Sequence, residues 1–104
     1  MPGKRMIRAI TKLPGQSAQV TSKEWTLSEM QAFVGGNIQA VSFATYSLYC
    51  DEAALHRTPI PAQNVHLRKY GMIRGPILLL GADANGNNAP IHEDDIPTLI
   101  KVLS

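Results

Sequence analysis

The stretch Glu24 to Val41, EWTLSEMQAFVGGNIQAV, constrains the fold more than any other, because it carries a helix start, a helix stop and a departing strand. Thr26 is a favourable N-cap, and Glu29 three residues on is placed to close a capping box. Trp25 before the cap and Met30 in the first turn have the spacing of a hydrophobic staple. Leu27, Met30, Phe33 and Val34 fall on one helical face, while Ser28 and Glu29 face away. Gly35 and Gly36 supply a left-handed stop. The local signals agree on a short capped helix, about residues 26–35. They describe architecture and carry no chemistry.

The remaining segments are shorter and alternate between strand and helix patterns. Arg5 to Leu13 reads as a strand ended by Pro14-Gly15, and Gln16 to Ser22 as a polar strand returning at a sheet edge. Asn37 to Phe43 and Tyr46 to Cys50 both alternate and predict an antiparallel hairpin. Asp51 to Leu55 reads as a turn or one helical turn, and Thr58-Pro-Ile-Pro61 as extended or looped chain. Asn64 is placed to cap a second short helix, about residues 64–70, that stops at Gly71. The unbroken run Ile77-Leu78-Leu79-Leu80 predicts a central strand covered on both faces. Asn85-Gly86 is a type I′ turn signal. Ile96, Leu99, Ile100 and Leu103 recur at helical spacing, which predicts a C-terminal helix over about 93–103 with Pro97 in its first turn. The expectation is one α+β domain over residues 1–104, with a small, mainly antiparallel sheet of about five strands.

Composition bounds the function classes. At 104 residues with 44% hydrophobic content, the chain can bury a core without staples. A single cysteine excludes an intramolecular disulfide framework and fits a reducing, cytoplasmic setting. The N-terminus MPGKRMIRAI has no apolar run of signal-peptide length, and no stretch approaches a membrane span. A net charge of +2 argues against a nucleic-acid binder. The charge is unevenly spread: Arg57, Arg68, Lys69 and Arg74 lie in a middle with no acidic residue, and Asp83, Glu93, Asp94 and Asp95 follow it. The two blocks can form separate surfaces or pair with each other.

Four blocks carry a resemblance: QAFVGGNIQAV, then LYCDEAAL, then PIPAQN, then IRGPILLLG. In this order they resemble a small family known as domain of unknown function 3846, over about residues 6 to 102. The family pattern is a helix ending in V-G-G-Y-I-E, a strand ending in an acidic turn, an asparagine, and an I-x-G-x-hydrophobic strand. Asn37 stands where the pattern has tyrosine and Gln39 where it has glutamate, whereas Glu52 and Asn64 match. The resemblance implies a phage or mobile-element origin. Small phage proteins often counter host defence, so it also points to sequestration of a nucleotide-derived immune signal.

Catalytic patterns are weak. Cys50 is followed by Asp51 and Glu52, whose charge disfavours a thiolate. His56, His66 and His92 have no metal-ligand spacing, and Asp83-x-Asn85-x-Asn87 mimics a calcium loop but carries Asn88 where the loop needs glycine. Gly71 and Gly75 do not make a phosphate loop. The expectation is therefore a binding protein, not an enzyme, with no cofactor and no metal. The candidate ligand residues are Gln39, Glu52 and Asn64 for polar edges, Arg57, Arg68 and Arg74 for phosphate, and Tyr49 or Tyr70 for stacking. Homo-oligomerisation is expected to enlarge the pocket of so small a subunit. The alternative is an inhibitor or adaptor that docks on a host defence protein, using the edge strand Gln16 to Ser22.

Overall fold

The structure is a computed structural model and describes residues 6–43, 45–85 and 87–103. It is α+β, built on an antiparallel sheet whose strands run β2(Gln19–Lys23), β1(Ile7–Lys12), β7(Ile77–Ala82), β4(Tyr46–Asp51), β3(Ile38–Phe43) from edge to edge. A two-residue strand β8(Asn88–Ala89) also pairs with β7. A separate hairpin, β5(Gln63–Leu67) and β6(Gly71–Arg74), packs on one face.

Strand β7 is central because every residue from Ile77 to Leu80 is at most 1% exposed. Ile77 and Leu79 point to a core shared with Ile10, Val41, Leu48, Cys50, Leu67, Ile73, Leu99 and Leu103. Leu78 and Leu80 point the other way, to Ile7, Ala9, Trp25 and Met30. The alternation of side chains along a strand produces both assignments from one apolar run. The helix α1(Leu27–Val34) covers the second face, and the hairpin with helix α2(Ile96–Leu103) covers the first.

Helix α1 begins as expected: Thr26 Oγ1 accepts from the Glu29 amide at 3.2 Å, and Trp25 and Met30 are both buried in one cluster. The reciprocal arm of the capping box is not made. The Thr26 amide donates to Glu24 O, and the Glu29 carboxylate pairs with Lys23 at 2.7 Å. Leu27 departs from the expected apolar face and is 57% exposed. Gly35 has the left-handed conformation, with φ 90°, whereas Gly36 does not and serves a different purpose, described below. Helix α2 follows a 3-10 turn over Glu93–Asp95, and Pro97 lies in its first turn.

The expected helix over residues 64–70 is a correction. Gln63–Leu67 is strand β5, residues 68–70 turn, and the chain returns as β6. Val65 and Leu67 pack into the core with exposed His66 between them, a period of two that fits a strand over this short segment. Gly71 has φ 81°, so the glycine read as a helix stop closes a hairpin turn instead. Asn64 caps nothing. Its amide donates to Lys12 O at 2.9 Å and Gly75 O at 2.8 Å, and its Oδ1 accepts from Lys12 Nζ at 2.7 Å. Thr58-Pro59 is a cis peptide in the bend over residues 57–59 that precedes β5. Arg5 of the expected first strand, and Gly86 of the expected Asn85-Gly86 turn, lie outside the described residues.

Lys12 is only 6% exposed, so its ammonium depends on the Asn64 amide oxygen and backbone carbonyl for satisfaction. Asn64→Ala should therefore destabilise the protein by about 2–3 kcal/mol, read as a lowered midpoint in urea. An unchanged midpoint would show that the hairpin docks without this tie.

Candidate functional site

Beside the hairpin, the first sheet face is left partly uncovered. Gln39 and Val41 of β3 and Cys50 of β4 lie on this face, opposite Tyr70, Met72, Ile73 and Arg74 of the turn and β6. The segment after β4, with Asp51, Glu52, Ala54, Leu55 and His56, closes one end. The resulting cleft encloses about 240 Å³. Val41, Cys50 and Ile73 are buried and give it an apolar base, while Glu52, His56 and Tyr70 are exposed.

The end wall is fixed by a charged clasp. Asp51 is 6% exposed, and both of its carboxylate oxygens accept from the Arg57 guanidinium, Oδ1 from Nη2 at 3.1 Å. Asp51 Oδ1 also accepts from the Ala53 amide at 3.0 Å, and Arg57 Nη2 reaches Gly35 O at 3.1 Å. The 3-10 turn Ala54–His56 is thus tied to Asp51 from both sides, through the Ala53 amide and Arg57, and Arg57 also links it to the C-terminus of α1. A Cβ on Gly36 would collide with Nη2 of Arg57, which explains the second glycine of the Gly35-Gly36 pair. Arg57 hydrogen bonding, helped by the Ala53 amide, holds the Asp51 carboxyl below the usual carboxylate range against the opposing effect of burial.

Four of the eight sequence-designated residues, Gln39, Glu52, Tyr70 and Arg74, meet in this cleft. The other four do not. Arg57 is engaged by Asp51, and Asn64 is engaged by β1 and Gly75. Tyr49 lies on the α1 side of the sheet and donates to Asn88 Oδ1 at 2.6 Å. Arg68 sits exposed in the β5–β6 turn. His56, Leu55 and Met72 were not singled out as ligand residues, although they line the cleft. Their sequence positions carry no motif; only the β5–β6 pairing brings Met72 opposite the turn after β4.

Arg74 is half-buried and donates from Nη1 to Pro61 O at 3.2 Å. Among the described residues it forms no ion pair with a carboxylate. A guanidinium has five N–H donors, so most of its donor capacity is available to a guest. Cys50 is less suited to chemistry. Burial, with the Asp51 charge as a smaller cause, pushes its thiol pKa up, and its Sγ donates to Gln39 O at 3.7 Å. Among the described residues no group of three His, Cys, Asp or Glu side chains is arranged to hold a metal ion. Among the described residues no ion pair joins the basic middle to the acidic C-terminal block: Asp94 pairs with His92, and Asp95 accepts from the Tyr46 hydroxyl.

The clasp makes a pH prediction. Because the folded-state pKa of Asp51 is lowered, its contribution is complete above the unfolded value and disappears as pH falls through the folded one. Asp51→Asn should lower Tm at neutral pH, and its deficit relative to wild type should narrow below about pH 4. A constant deficit across an acid thermal-melt series would contradict this assignment.

Among the described residues, no helix is long and apolar enough to cross a membrane. No curated protein and no solved structure matches the chain. A family profile matches residues 7–104, which spans the sheet, both helices and every residue of the cleft. The chain belongs to that family, the domain of unknown function DUF3846.

Proposed function

We propose that this is a non-catalytic binding protein that holds a small anionic, nucleotide-derived molecule in the cleft and acts by sequestering it. The observation that carries this reading is Arg74, a guanidinium at the cleft with no carboxylate partner among the described residues. It offers a planar fork of donors suited to phosphate. Tyr70 lines the same cleft and is 40% exposed, available for a base to stack on. Gln39 and Glu52 supply acceptors for the amino and imino edges of a base. Burial raises the Cys50 thiol pKa, which makes this side chain a poor nucleophile at the cleft base. The setting we propose is the cytoplasm of a phage-infected cell, where capture of an immune signal withdraws it without chemistry.

The cleft volume of about 240 Å³ is smaller than the roughly 300–1,000 Å³ of typical ligand pockets. One copy therefore holds part of a nucleotide, a phosphate or a base, and leaves the remainder at the mouth. A second reading is favoured by the open edge of β2, where Gln19, Val20, Ser22 and Lys23 are exposed. Such an edge suits sheet addition by a host defence protein. A pull-down from host lysate that recovers one protein in stoichiometric amount, lost on Val20→Pro, would favour this second reading.

Native mass spectrometry after incubation with lysate from cells with active nucleotide signalling tests the first reading. The expected result is one added mass of several hundred daltons, released intact on denaturation. Arg74→Ala should weaken its binding by about 10- to 100-fold, as loss of a charge-assisted hydrogen bond predicts, and Arg68→Ala should leave it unchanged. No added mass, or equal retention by Arg74→Ala, would contradict the proposal.

A further inference from the structure

The two edges of the main sheet are not alike. Strand β2 ends in the exposed Lys23, a charge that disfavours pairing with an uncharged or like-charged strand, such as a second copy's edge. Strand β3, at the other edge, contains no charged residue and no proline from Ile38 to Phe43. It pairs with β4 in continuous register from Ile38 opposite Asp51 to Phe43 opposite Tyr46, without a bulge. Gln39, Ala40 and Ser42 are exposed along it. A regular, uncharged, six-residue edge lacks the usual protections against joining another strand.

We propose that β3 pairs with β3 of a second copy of this chain, antiparallel about a two-fold axis at Ala40. The self-pairing is compatible in charge and in face. Ala40 meets its own counterpart, Gln39 faces Val41 and Ile38 faces Ser42, so no like charges meet. Paired residues in an antiparallel ladder share a sheet face, and Gln39 and Val41 both line the cleft. The second copy's Gln39 therefore stands beside the first copy's Val41, and each cleft is extended by the other subunit. A bare strand pair buries little area for a stable complex. The same side of the molecule also exposes apolar side chains at the cleft, Leu55 at 70%, Tyr70 at 40% and Met72 at 39%. An isologous contact of this kind closes on itself and produces a dimer instead of a filament.

This inference deepens the reading of the cleft as a binding site, but its test uses no ligand, so the two can fail separately. Light scattering on the eluting full-length chain at tens of micromolar should give twice the chain mass. Ala40 is exposed, so Ala40→Lys should keep the fold, checked by circular dichroism, while two facing ammonium groups shift the chain to monomer. Ala40→Glu should do the same, and an equimolar mixture of the two variants should recover the doubled mass. Ser42→Glu, on the same exposed row, is a second disruption with the same expected shift. A monomeric wild type, or a doubled mass undiminished in Ala40→Lys and Ser42→Glu, would overturn the proposal.

Discussion

The structure depends on the burial of β7 on both faces. Four consecutive aliphatic side chains, each excluded from water, contribute about 6–12 kcal/mol before conformational entropy is counted. That is comparable to the whole net stability of a small domain. No single layer can bury such a strand, so the chain must bring helix α1 to one side and other elements to the opposite side. The cleft is a consequence of this division. On the second face, α1 is fixed by its Thr26 cap and by the burial of Trp25 and Met30 in one cluster. On the first face, α2 and the β5–β6 hairpin share the covering, and the hairpin leaves part of β3 and β4 open.

Polar ties then separate architecture from candidate chemistry. Asn64 and Lys12 join the hairpin to β1, and Asp51 and Arg57 join the turn after β4 to the end of α1. Both ties satisfy groups that would be costly to bury alone. Their side chains have little left to offer a ligand. Arg74 differs because its hydrogen-bond partner among the described residues is a single backbone carbonyl, and it borders the cleft instead of crossing it. A residue type that suits phosphate in the sequence can thus serve either role, and only its partner decides which.

Much of the architecture was legible because its signals are local. The N-cap, the staple, the glycine after Val34 and the apolar run of β7 each act within a few residues, and each appears where the sequence places it. The segment 64–70 carries a helix signal in sequence because Asn64 and Gly71 are as suitable for a cap and a stop as for a tie and a hairpin turn. Its strand identity comes from pairing with β6 and from packing of Val65 and Leu67, neither of which five residues can announce. The candidate site was half legible for the same reason. Gln39 and Glu52 flank one hairpin, but their meeting with Tyr70 and Arg74 depends on the β5–β6 turn. The role of Gly36 was visible only once Arg57 was seen to cross it.

We propose that the face between β3 and β6 is where this family member meets a ligand. Amide chemical-shift mapping of the isotope-labelled protein, titrated with nucleoside monophosphates and cyclic dinucleotides, tests it directly. Saturable shifts are expected at Gln39, Glu52, His56, Tyr70 and Arg74, with Tyr49 and Arg68 unmoved. Shifts confined to the β2 edge or to the α1 face, or none with any member of the panel, would contradict it.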